Sequence, residues 1–287
     1  MKTRKTIQEF QNRSDSGEKI VMITAYDYTS AKIIESAGID YILVGDSLGQ
    51  VVLGYDSTVE VSIEDILHHL KAVSRGTERT HIVADMPFMT FQINPECAVS
   101  NAGKLLQIGG AQSVKIEGGK NVSPTIRKIV DSGIPVMGHL GLTPQSHNQL
   151  GGYHLQAKTL KTAEKIIEDA LAVESAGAFS LVLESIPSEV AKIITAQLKI
   201  PTIGIGAGPY CNGQIQVFHD LMGLFSDFQP KHTKKYADLS EIIKESISRY
   251  AMEVKEGDFP TIKNSFKATT DLIPELESKL DLKSKCK

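Results

Sequence analysis

The sequence contains no tryptophan, and only 6% of its 287 residues are aromatic. Its three cysteines, Cys97, Cys211 and Cys286, stand far apart and form no CxxC pair. That excludes a disulfide scaffold, argues against a zinc–thiolate centre and fits a reducing compartment. No apolar stretch approaches the ~20 residues needed to cross a bilayer. The N-terminal MKTRKTIQEFQNRSDSG lacks the apolar core of a secretory signal. A strong charge of either sign is missing too, since Lys+Arg 31 against Asp+Glu 34 leaves a net charge of −3. Nucleic acid or an anionic membrane is therefore not expected as the main partner. What is present, 41% hydrophobic and 23% charged residues, is the balance of an ordinary globular chain and excludes disorder or a collagenous repeat. A soluble cytoplasmic protein is expected.

Short runs rich in Val, Ile and Leu recur, each bounded by Gly, Pro or Asp. They are Ile20–Asp27, Tyr41–Ser47, His81–Pro87, Ser113–Gly119, Pro135–Leu142, Phe179–Ser185, Pro201–Gly208 and Gln214–His219. Most are continuously apolar, as parallel strands covered on both faces should be. The segments Thr29–Ala37, Ser62–Arg75, Asn94–Gln107, Ser123–Ser132, Thr159–Ala176 and Pro187–Leu198 read as amphipathic helices. Ser62 with Asp65 resembles a capping box, with Asp where Glu is preferred. Eight strands alternating with helices over roughly 210 residues suit a single-domain (βα)₈ TIM barrel with additional terminal helices better than an open doubly wound sheet. Only five residues separate the last two runs, so that crossover must be irregular. Leu239–Glu256 reads as an amphipathic helix that closes or buttresses the barrel. The expected division is a barrel over 1–266 and a peripheral or partly disordered tail over 267–287.

The C-terminal ends of barrel strands carry the active site, so the polar residues there are informative. They are Asp27, Asp46 with Ser47, Asp85, Lys115 with Glu117, His139, Glu184 with Ser185, and the GIGAG turn (Gly204, Gly206, Gly208). A single such acid could simply cap the next helix. Five carboxylates, a Lys and a His on one rim would repel or desolvate one another unless a cation or substrate compensates. Asp46, Asp85 and Glu117 end neighbouring strands and offer hard oxygen donors, which suit Mg²⁺. Lys115 and Glu117 alternate on one strand and so point the same way. Lys115 would thus stand beside the metal and, with Ser47, could meet a substrate carboxylate. Glu184 follows Leu-Val-Leu, an apolar setting suited to a proton-abstracting base; its bland alternative is a cap or ion-pair partner. Taken alone, His139 reads as a satisfied buried histidine; within this set it could donate to substrate. Asp27 reads as a loop anchor, His68 and His69 as surface positions. GIGAG lacks the dinucleotide-binding spacing and suggests close backbone approach.

The strings ITAYDYTSAKIIESAGID, ILVGDSLGQVVLGYDSTVEVSIEDILHH, VADMPF, VKIEGG, PVMGHLGLTPQS, LVLESIP and IGIGAG…GQIQVFHDLMG carry a resemblance. From about Thr6 to Phe266 the chain resembles the ketopantoate hydroxymethyltransferase family. The resemblance implies a (βα)₈ barrel that moves a hydroxymethyl group from 5,10-methylenetetrahydrofolate to C3 of 3-methyl-2-oxobutanoate, through a Mg²⁺-stabilised enolate, at the first committed step of pantothenate synthesis. It implies Asp46 and Asp85 as Mg²⁺ ligands, with Glu117 joining the metal shell. Asp46, Ser47, Asp85, Lys115 and His139 would bind the 2-oxo acid, and Glu184 would be the general base. It also implies a cytoplasmic homodecamer. Asn212 stands where the family usually has Asp, a change expected to be tolerated, and the tail after Phe266 is longer than typical. The phosphoenolpyruvate mutase and isocitrate lyase group, also Mg²⁺ barrels, typically carries a catalytic Cys in a loop after strand four; KIEGGKNV has none. A non-catalytic barrel would be expected to have lost some of the rim acids.

Overall fold

Successive residues of a strand face opposite ways, and in this chain both faces find apolar cover. A computed structural model describes residues 3–225 and 230–280. Its strands are β1 (Ile20–Thr24), β2 (Tyr41–Val44), β3 (His81–Asp85), β4 (Ser113–Glu117), β5 (Val136–Gly141), β6 (Ser180–Glu184), β7 (Thr202–Ile205) and β8 (Gly213–Gln216). Each pairs in parallel with the next, and β8 returns to β1 from Ile20↔Gly213 to Ile23↔Gln216, closing the barrel without an edge. One alternating set of side chains, among them Met22, Leu43, Val83, Met137, Val182 and Ile215, fills the interior. The other set, including Ile42, Ile82, Val114, Ile116 and Leu183, packs beneath the helices. The expected barrel is what forms.

The helices start where the capping residues stand. Ser62 Oγ accepts from Asp65 N–H at 3.1 Å while Asp65 Oδ2 accepts from Ser62 N–H at 2.9 Å, so the box works with the shorter acid and opens the helix Ile63–Gly76. Asn94 caps Pro95–Gln107 through a 2.8 Å bond from Cys97 N–H. Thr159 caps Leu160–Ser175. Between β7 and β8 no helix intervenes. The turn is instead held by Asn212, whose Oδ1 accepts from Thr202 N–H at 2.9 Å and from Thr202 Oγ at 3.0 Å. Both bonds use the side-chain oxygen that an aspartate would also supply.

At the N-terminal end of the barrel, a helix over Ile7–Asp15 inserts Phe10 among the interior side chains. Its ring meets Tyr41 edge-on at 4.6 Å and Phe179 at 5.5 Å. The chain divides into two compact units, Met1–Ala237 and Asp238–Lys287. The helix Leu239–Glu256 begins the second unit and has no buried residue. In the tail, Leu272–Leu280 is helical. Residues 281–287, with Cys286, and residues 226–229 of GLFSDFQPKHTKKY lie outside the described residues. Among the described residues no helix is long and apolar enough to cross a membrane.

Phe10 is 1% exposed, so Phe10→Ala should open a void at the barrel's lower end and cost about 3–5 kcal/mol of unfolding free energy, read from urea titration. A change below 1 kcal/mol would show that the plug contributes nothing to stability.

Candidate active site

The same alternation that packs the interior ends in charge. On β3, Val83 faces inward and so does Asp85; on β4, Ser113, Lys115 and Glu117 follow one another on the inner face; β5 carries His139 two residues before its end, and β6 finishes with Glu184. Asp46 follows β2. Of the charged groups, Asp46, Asp85, Lys115, Glu117 and His139 are all at most 5% exposed. Glu184 is less buried, with 16% of its side chain exposed.

These groups form one connected set. Lys115 Nζ lies 2.9 Å from Asp85 Oδ1 and 3.7 Å from Glu117 Oε1. Glu117 Oε1 is 3.2 Å from His139 Nδ1, and His139 Nε2 is 3.1 Å from Glu184 Oε2. Lys115 Nζ is also 3.2 Å from His139 Nδ1. Asp46 N–H donates to Asp85 Oδ2 at 3.2 Å. Asp85 Oδ1, Glu117 Oε1 and His139 Nε2 are thus each met by an oppositely charged neighbour of the set. Glu184 was expected in apolar surroundings; its carboxylate instead faces the His139 imidazole.

Burial and mutual repulsion pull these groups apart electrostatically. Burial, then the charges of Asp85 and Glu117, raise Asp46 well above the usual carboxylate range. Burial also raises Asp85, against the pull of Lys115. For Glu117 burial is outweighed by the His139 hydrogen bond, by Lys115 and by the Gln145 N–H, and its carboxyl is lowered. His139 is lowered by burial and by Lys115, but its bonds to Glu117 and Glu184 prevail and lift it to about 9. The three acids around Lys115 thus face one ammonium and one imidazolium, and Asp46 is the member without a cation of its own.

Two residues that the sequence reading missed complete the set. Gln145, 4% exposed, donates from its backbone N–H to Glu117 Oε2 at 3.1 Å. Its Nε2 donates to Asp46 Oδ2 at 2.8 Å and to the Met86 carbonyl at 3.0 Å. It lies in TPQS, a loop whose sequence has no period to say where a side chain points. Tyr26, 2% exposed, shares a 2.7 Å hydrogen bond with Ser47 Oγ, and so orients the one neutral side chain predicted in the site. His69 is not merely a surface position: its Nδ1 bonds the Tyr26 carbonyl at 2.6 Å. Asp27 is an anchor, its Oδ1 accepting from Thr29 and Ser30 N–H at 2.8 and 2.9 Å at the start of a helix. The GIGAG turn does permit close approach: a Cβ on Gly208 would stand 2.4 Å from Ser188 Cβ, and one on Gly206 would stand 3.0 Å from His232.

Among the described residues no three His, Cys, Asp or Glu side chains stand in an arrangement that holds a metal ion by themselves. Glu117 Oε2 accepts from Gln145 N–H, and its Oε1 lies 3.7 Å from Lys115 Nζ and 3.2 Å from His139 Nδ1. The donor chemistry still fits Mg²⁺, which takes one or two carboxylates and leaves its other positions to water and substrate. The uncompensated Asp46 beside Asp85 is the pair of hard oxygen donors such an ion requires.

Residues 4–262 match the model of the ketopantoate hydroxymethyltransferase family. A 3-methyl-2-oxobutanoate hydroxymethyltransferase of Dehalococcoides mccartyi is 58% identical over 96% of this chain and 98% of its own length. One of Clostridium botulinum is 54% identical over 95% and 99%. Among solved structures, phosphonopyruvate hydrolase superposes with a TM-score of 0.59 at 12% identity over 96% of both chains. A 2,3-dimethylmalate lyase of the PEP mutase/isocitrate lyase superfamily gives 0.56 at 15%, over 96% of this chain and 98% of its own. At such identities these two share the barrel fold and nothing further follows from them. The chain is a hydroxymethyltransferase and belongs to the ketopantoate hydroxymethyltransferase family.

Proposed function

We propose that the chain transfers a hydroxymethyl group from 5,10-methylenetetrahydrofolate to C3 of 3-methyl-2-oxobutanoate, giving ketopantoate and tetrahydrofolate at the first committed step of pantothenate synthesis. The proposal includes a cytoplasmic homo-oligomer of the decameric kind that the family resemblance implies. The observation that carries it is the continuous set of buried charges, from Asp46 and Asp85 through Lys115, Glu117 and His139, that ends on the partly exposed Glu184.

Mg²⁺ held by Asp46 and Asp85, with Glu117 beside them, would supply a Lewis acid for the substrate's keto oxygen and so make the C3 proton easier to remove. Lys115 opposes the effect of burial on Asp85 and Glu117 and places positive charge at the floor of the site. With Ser47, whose hydroxyl Tyr26 holds in place, it is assigned to the substrate carboxylate. Gln145 ties Asp46 to Glu117 from above, so the acids keep their spacing. Glu184 is the least buried charged group of the set, and a substrate carbon can reach it. His139, 3.1 Å away, orients its carboxylate as a base. Glu184 accepts the C3 proton, C3 bonds to the methylene carbon, and water supplies the hydroxyl oxygen; both bonds from that carbon to the folate nitrogens break, and the nitrogens take up the proton lost from C3 and one from the water.

Glu184→Gln should slow exchange of the C3 hydrogen of 3-methyl-2-oxobutanoate with D₂O by roughly 10²–10⁴-fold, followed by proton NMR; exchange at the wild-type rate in a folded variant removes Glu184 from this role. The double variant Asp46→Ala with Asp85→Ala should lose the Mg²⁺-dependent part of oxo-acid affinity in calorimetry, whereas an unchanged Mg²⁺ dependence would overturn the ligand assignment. His139 is raised in the fold from 6.5 to about 9. Its contribution to stability is therefore complete below 6.5 and disappears as the pH rises through about 9. The stability advantage of wild type over His139→Gln, from urea unfolding, should shrink across that interval; a constant difference would contradict the charged imidazole.

A further inference from the structure

The charged groups of the site come from β2 to β6, whereas the ends of β8, β1 and β2 bring together a series of hydroxyls. Phe218 opens the short helix Phe218–Leu221 after β8. As a first-turn residue its N–H has no acceptor within the helix. It donates instead to Oγ1 of Thr24, the last residue of β1, at 3.0 Å. The Thr24 hydroxyl hydrogen-bonds in turn with the Tyr26 phenol, and that phenol oxygen lies 2.7 Å from Ser47 Oγ. Thr24 and Tyr26 are both 2% exposed, while Ser47 is only half-buried. The series therefore starts at a backbone amide and reaches the open site only through Ser47.

Tyr26 is fixed from two further sides. The His219 ring lies against it with centroids 5.5 Å apart and planes at 36°. His69 Nδ1 bonds its carbonyl at 2.6 Å. Burial raises the phenol, against the two hydroxyls, so it stays protonated and able to donate. Among the described residues Ser47 Oγ has no hydrogen bond other than the one with Tyr26.

A hydroxyl both donates and accepts, so a run of hydroxyls has no direction of its own; its two ends supply one. Phe218 N–H can only donate, and an ionised carboxylate can only accept. Between such ends one arrangement lets every oxygen receive a hydrogen and pass its own forward. The amide donates to Thr24, Thr24 to Tyr26, Tyr26 to Ser47, and Ser47 to the carboxylate. Hydrogen bonds aligned in this way polarise one another and strengthen the last of them.

We propose that Thr24 and Tyr26 are positioning residues that set the direction of the Ser47 hydroxyl and make it a donor to the carboxylate of the 2-oxo acid. This rests on the oxo-acid reading above. Hydroxyls that merely satisfied one another would stabilise the fold and leave Ser47 to act alone. The two cases differ in whether Tyr26 matters once the Ser47 hydroxyl is gone.

The test is calorimetric titration of 3-methyl-2-oxobutanoate with Mg²⁺ into wild type, Ser47→Ala, Tyr26→Phe, Thr24→Val and their pairwise combinations. Ser47→Ala should weaken binding roughly tenfold, as loss of a hydrogen bond to a charged group predicts. Tyr26→Phe should weaken it several-fold and Thr24→Val by less, each with a matching rise in KM for C3–D₂O exchange. Either change added to Ser47→Ala should cost less than about twofold more, because coupled residues do not act additively. Thr24→Val added to Tyr26→Phe should likewise have no further effect. Should Tyr26→Phe not fold, Thr24→Val with and without Ser47→Ala makes the same comparison with the ring intact. Wild-type affinity in both Tyr26→Phe and Thr24→Val overturns the proposal, and so do losses that multiply in the combined variants. Wild type that neither binds the oxo acid nor exchanges its C3 hydrogen overturns the oxo-acid reading and the positioning role with it.

Discussion

Three carboxylates buried beside a single lysine are the constraint around which the end of this barrel is organised. Removing Asp46, Asp85 and Glu117 from water is costly, and the cost is met only in part by protein. Lys115 answers Asp85, His139 and Gln145 answer Glu117, and Asp46 has a neutral amide donor and no cation. The resulting field explains why a histidine deep in the barrel is held as an imidazolium. Stability is given up at the site and retained in the remainder of the molecule.

That remainder is built to bear it. Closure of eight strands leaves no edge, and the two alternating faces of the sheet form separate apolar clusters, one inside the barrel and one beneath the helices. Phe10 stops the lower end, so the interior changes from apolar at one end to charged at the other. A side chain on such a scaffold is placed by its strand's register, which is rigid on the scale that proton transfer requires. The loop residues Gln145 and Tyr26 then refine what the strands set up, one spacing the acids and the other orienting Ser47.

Much of this arrangement was legible beforehand because it depends on local regularity. The uninterrupted Val, Ile and Leu runs predicted two-sided burial, and the Ser62–Asp65 box predicted where one helix begins. Lys115 and Glu117 two apart on one strand had to share a face. The bond that Glu117 accepts from Gln145 was not legible, since Gln145 is a loop residue distant in sequence. Nor was the polar setting of Glu184: Leu-Val-Leu describes its own strand, whereas its carboxylate faces His139 on the neighbouring one.

The amino-acid order alone determined the alternation of strand and helix, the closed parallel sheet it implies, and the set of acids, lysine and histidine at the strand ends, because periods of two and 3.6 residues act between near neighbours in the chain. Only the tertiary structure decided which of those groups touch, which oxygen lacks a cation, and how Phe10 and Tyr26 are used. Those outcomes depend on residues far apart in sequence being brought together by closure of the barrel, and no local pattern encodes the distance between them.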